Sequence, residues 1–251
     1  MDDVVQKNIN DVIKNSENFI TERKKQIKIV VPLEEELERI KELENQAKDN
    51  DSEDILKKKI IASNSDFCDF YLEVHAKGLW QPFQNVSFKY SHENGLSGIV
   101  NADIKVKTED VTWKSIGANY EGVTEVLSAE IVLEKEYMIL PEHKHLYNLY
   151  KKDKINQHSV GMVILEMKLA ADSSDTNNKA YKDLYDEYID KIVNKDFVKR
   201  YGYFYLVTKA RLLEISAVEF GANRITPTLK HTQETINKDI EKRINIINLI
   251  L

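Results

Sequence analysis

Apolar positions recur with two different periods along the chain, and the change falls between residues 62 and 66. Upstream, Leu33, Leu37, Ile40, Leu43 and Ala47 follow one another at intervals of three and four behind Pro32 and Glu34, Glu35 and Glu36. That is the spacing of one helical face opened by a proline and an acidic first turn. The stripe is narrow, and residues 1–62 are densely charged and free of glycine. They predict a helical N-terminal arm, separable from the rest, that needs a partner helix or a second chain. KDNDSED at 48–54 reads as the linker that ends it.

From Asp66 alternation takes over. DFCDFYLEV, NVSFKY, IVNADIKV, TEVLSAEIVLE, SVGMVILEMKL, YFYLV and RLLEISAVEF are β-branched and aromatic runs of strand character. Two helices interrupt them. One opens at Pro141 in PEHKHLYNLYKK; the other covers 180–200, where Tyr181, Leu184, Tyr185, Tyr188, Ile192 and Phe197 keep helical spacing. The pattern predicts an α+β, mainly β chain with an antiparallel β core of at least six strands over 66–228. A helical insertion at 171–200 and a helix-prone tail at 229–251 complete it.

Composition narrows the function classes. With 251 residues, 42% of them hydrophobic, the chain is long enough for a sizeable core. A net charge of −6 without a long basic run gives no footprint for nucleic acid. The single Cys68 excludes an intrachain disulfide and every cysteine-based zinc site, and implies a reducing compartment. No apolar run approaches 18 residues and the first residues are acidic, so a soluble chain without membrane contact is expected.

Several motifs touch chemistry. Gly117 and Gly122 have the spacing of a phosphate loop, but Val123 and Thr124 stand where lysine and serine or threonine are needed. His143 and His145 could hold a metal, but two apart on a predicted helix they point in different directions and read as a surface pair. HSVGM at 158–162 is sharper: Ser159 opens a strand, and Gly161 leaves its backbone clear for an approaching carbonyl. Ser97 and Gly98 show that such pairs also arise by chance. In RLLEISAVEF, period two puts Glu214 in a row with Leu212, Ser216, Val218 and Phe220, where a carboxylate needs a cationic or hydrogen-bonding partner such as an imidazole. His92, in FKYSHENGLSGIV, is one candidate base; His75 and His158 are its rivals.

The order of His92, QHSVGMVIL and YLVTKARLLEISAVEFGAN, across about 66–228, resembles the prohead (capsid maturation) serine proteases of tailed bacteriophages. Met162, Glu93 and Gly221 depart from residues common there. The resemblance implies a herpesvirus-assemblin-type fold, a small antiparallel β-barrel ringed by helices, and serine endopeptidase activity. It assigns Ser159 as nucleophile, His92 as general base and Glu214 as the acidic third member, with no metal or organic cofactor. It implies phage scaffold and major capsid proteins as partners, a homo-oligomer, and work in the host cytoplasm inside the procapsid. The alternative is a catalytically silent structural or scaffold-associated virion protein that keeps the protease fold.

Overall fold

The computed structural model describes residues 3–25, 55–93 and 98–229. Two mixed layers of sheet and helix make an α+β fold. The first sheet runs β4 (Asp103–Thr112), β5 (Val123–Glu134), β1 (Ile55–Asn64) and β8 (Thr228–Leu229), all antiparallel. The second is organised on β7 (Tyr203–Ala217). β6 (His158–Ala171) lies antiparallel along one edge; β2 (Glu73–His75) and β3 (Ser87–Tyr90) lie parallel along the other, one after the other. The sheets do not close into a barrel, and the parallel pairs make the second sheet mixed, which corrects the expected antiparallel barrel.

The largest core cluster lies between the sheets, where Ile60, Leu127 and Ile131 meet Phe88, Leu212 and Ile215. Helix α2 (Pro141–Lys151) closes it with Leu146 and Tyr150; His145 is exposed, but His143 turns inward and is buried, which corrects the expected surface pair. The first half of β7 is buried on both faces, as its unbroken apolar run requires. Phe204 and Leu206 pack under α3 (Lys179–Tyr188) and α4 (Lys195–Tyr201), while Tyr205 and Val207 pack under α1 (Asp3–Lys25). The single helix expected at 180–200 is broken near 189–194, where Val193 N–H donates to the Asp66 carbonyl at 3.0 Å instead of to the preceding turn and the Asn194 side chain bonds the Cys68 N–H and carbonyl at 2.9 and 2.8 Å. No described helix is long and apolar enough to cross a membrane.

The N-terminal arm needs correction. Residues 55–64 are an inner strand, and the lysines that suggested a solvated helix lie with their stems along the sheet. Lys58 reaches Asp153 at 2.6 Å and Lys59 reaches Glu109 at 2.7 Å. α1 is part of the fold: Ile9 is fully buried, Phe19 stacks on Tyr205 with centroids 4.4 Å apart, and Arg23 forks onto Glu73 at 2.6 and 3.2 Å. Ile9→Ala is therefore expected to cost about 2–5 kcal/mol of unfolding free energy in urea denaturation; an unchanged midpoint would return α1 to a separable arm. The stripe from Leu33 to Ala47, the 48–54 linker and the tail from 230 lie outside the described residues.

The first expected strand also fails over most of its length. Asp66 and Leu72 are left-handed, with φ of 59° and 58°, and Asp69 Oδ1 accepts the N–H groups of Tyr71 and Glu73 at 2.8 and 2.9 Å. A side chain that bonds its own backbone two residues on makes a turn of an otherwise strand-like run.

Candidate active site

The site is built on the second half of β7. There Glu214 is paired with Gly161 of β6 and Ser87 of β3, and Ser216 with Ser159 and Lys89. Directly paired residues turn their side chains to one face of a sheet, so Ser159, Gly161, Glu214 and Ser216 share a face. A bulge at Leu213 separates this face from the core: the register steps from Gly161↔Glu214 to Met162↔Leu212, and Leu212 joins Ile215 and Ala217 in the apolar cluster. The single row from Leu212 to Phe220 is thus interrupted.

His92 arrives from β3 through two consecutive left-handed residues, Ser91 at φ 56° and His92 itself at φ 54°. Each costs on the order of 1 kcal/mol or more and persists only where its surroundings hold it. Ser91 N–H donates to the Ala217 carbonyl at 2.9 Å, and His92 N–H donates to Ser216 Oγ at 3.2 Å. So held, the ring meets the carboxylate, with His92 Nδ1 2.6 Å from Glu214 Oε1. The Ser216 hydroxyl donates to Oε2 at 2.6 Å. Both oxygens of a buried carboxylate are engaged, and its charge favours the imidazole tautomer with the proton on Nδ1 and a free lone pair on Nε2. The ring remains 41% exposed, open to a reacting group.

Gly161 has a different reason from the one expected. A Cβ there would stand 2.3 Å from Glu214 Oε1 and 2.7 Å from its Cγ. The glycine makes room for the carboxylate that holds His92.

Ser159 and His92 border one cavity of about 200 Å³, together with His75 and His158. Ser159 is half-buried, and its hydroxyl makes no hydrogen bond among the described residues. The rivals of His92 are otherwise occupied. His158 is 1% exposed, with Nδ1 2.8 Å from the Thr226 carbonyl and Nε2 2.8 Å from the Tyr150 hydroxyl. The ring is neutral: Nδ1–H donates to the carbonyl and Nε2 accepts from the phenol. Burial pulls it down to about 4, the Thr226 carbonyl resisting. Because the unfolded chain binds that proton near 6.5, this histidine's contribution is complete above pH 6.5 and is lost as pH falls towards 4. The wild type is expected to lose about 3 kcal/mol over that interval relative to His158→Gln, in denaturation series at several pH values. Parallel curves would refute a neutral buried His158.

His75 is held by Ser63 Oγ, 2.7 Å from its Nδ1. Asn223, in the Ala-Asn of the third motif, is a brace: it exchanges side-chain bonds with Asn64 at 3.1 and 3.4 Å and accepts Ile225 N–H at 2.9 Å. Ser97 lies outside the described residues.

Sequence reasoning gave no role to Ser216, although a hydroxyl two residues from a strand glutamate faces the same way. Nor did it find the charged wall of the cavity, where Arg23, Glu73 and Asp69 meet. Burial pushes the Asp69 carboxyl up to about 7, against the two backbone N–H groups it accepts, with Glu73 adding to the rise. No family model, no curated protein and no solved structure matches this chain.

Proposed function

We propose that the chain is a serine endopeptidase of phage capsid maturation. The carrying observation is the 2.6 Å bond from His92 to the buried Glu214 beside a cavity that Ser159 also lines. The family order of the three motifs supports the same assignment. His92 Nε2 takes the Ser159 proton as Oγ attacks the peptide carbonyl carbon, and Glu214 stabilises the imidazolium that forms. Collapse of the tetrahedral intermediate breaks the C–N bond, His92 returns the proton to the leaving amine, and water then hydrolyses the acyl-enzyme through the same base. Ser159 lacks its hydrogen bond to His92 in the substrate-free chain, and such bonds close in the substrate complex. By the resemblance, substrates are scaffold and capsid-protein segments inside the prohead. No metal or organic cofactor enters these steps.

The unengaged Ser159 hydroxyl favours the second reading, a silent structural virion protein on the same fold. A serine-directed fluorophosphonate separates the two. Stoichiometric labelling located at Ser159 by peptide mass analysis is expected for the protease; an unlabelled chain that still joins the procapsid establishes the structural role.

A further inference from the structure

The catalytic reading leaves one requirement unmet: a donor for the oxyanion. We infer that His75 supplies it, its Nε2–H pointing into the cavity shared with Ser159 and His92 and hydrogen-bonding the carbonyl oxygen of a bound peptide. The inference rests on the endopeptidase reading and extends it to a further catalytic residue.

Three imidazoles border the cavity; His158 has both ring nitrogens engaged, and the other two are each held by Nδ1 through different chemistry. His92 is held by a carboxylate, which suits a proton acceptor that becomes charged. His75 is held by the hydroxyl of Ser63, which is 2% exposed. Ser63 makes no other side-chain hydrogen bond among the described residues, so its O–H proton goes to His75 Nδ1; the reverse tautomer would bury an unpaired hydroxyl proton. The remaining proton of the ring is then on Nε2. That nitrogen has no partner among the described residues, and none of their fully buried side-chain nitrogens or oxygens lacks one, so Nε2 is accessible, and the ring that carries it lines the cavity.

The ring also stays neutral. Burial lowers its proton affinity; Glu73 pulls the other way, and Arg23, paired with Glu73, adds to the lowering. A neutral Nε2–H donates without giving up its proton, and environments that push two titratable groups apart divide the roles of acid, base and electrophile. Trp80, edge-on to the ring with centroids 5.9 Å apart, fixes its plane. Ser63 sits at the register shift of β1 against β5, and β2 carries His75, so the donor is mounted on strands and not on a loop.

The test has two readouts. Nitrogen–proton correlation spectra of the full chain are expected to show His75 as the neutral Nε2–H tautomer at pH 7; an Nδ1–H tautomer or a charged ring overturns the inference whatever the activity. The rate of Ser159 phosphonylation is expected to fall about 10²–10³-fold in His75→Ala, the effect of removing one oxyanion donor. His75→Gln, whose amide N–H can replace the ring donor, should recover to within about tenfold of wild type and keep the wild-type pH profile. An undiminished rate in the alanine variant, or equal losses in both variants, overturns the role for His75 and leaves Ser159 as nucleophile. A wild-type chain that is not labelled removes the endopeptidase reading and this inference with it.

Discussion

Ser159→Ala is expected to abolish cleavage, a loss of about 10⁴–10⁶-fold, while the protein melts as the wild type does. The Ser159 hydroxyl is half-buried and makes no hydrogen bond among the described residues, so its removal leaves no orphaned partner and costs about 0.5 kcal/mol or less. In the proposed mechanism the same atom forms the acyl bond. The neighbouring hydroxyls cannot stand in for it: Ser216 donates to Glu214, and Ser63 is bound to His75. Co-expression with phage scaffold and capsid proteins, the substrates proposed above, read by intact mass, makes the comparison. Fragments that persist in the alanine variant would remove Ser159 from the mechanism.

The second large effect belongs to a residue without a side chain. Gly161→Ala drives a methyl group into Glu214, at 2.3 Å from Oε1, 2.7 Å from Cγ and 2.9 Å from Cδ. The carboxylate has to leave its place, releasing both His92 and Ser216. Activity should fall about 10³–10⁴-fold, as when the acidic member of a triad no longer holds its histidine. Stability should fall by about 1–3 kcal/mol, the range for a forced fit in a packed site. The decisive comparison is the double variant with Glu214→Ala. Once the carboxylate is gone the methyl has space, so Gly161→Ala in that background should cost neither activity nor stability beyond Glu214→Ala alone. Additive losses would show that the two residues do not share the space.

Much of this site was legible where the chemistry is carried on strands with clear punctuation. Ser159 opens a strand, and Glu214 sits in an apolar row that demanded a partner; the structure provides that partner in His92. What remained hidden was set by contacts distant in sequence. Whether Leu213 bulges depends on β6, so the row containing Glu214 read as unbroken. The role of Gly161 depends on a side chain that comes opposite it only through β6–β7 pairing. The lysines of β1 resembled a solvated helix because Asp153 and Glu109, which receive two of them, lie far along the chain. Asp69 overrode the strand propensity of its neighbours with two local hydrogen bonds. The closed barrel came from the resemblance, and strand patterns alone carry no signal for whether a sheet closes.

The central place of β7 has a consequence for the order of events during synthesis. β2, β3 and β6 all take their pairing from β7, which follows all three in the sequence, and that strand carries Glu214. A nascent chain that has emerged only as far as α4 holds Ser159 and His92 but neither the template that aligns them nor the carboxylate that orients the imidazole. Domains close as units, so Ser159, His92 and Glu214 come together only once β7 has been made. On the proposed endopeptidase reading, a chain that stops short of β7 cannot cleave the unfinished copies beside it on the polysome.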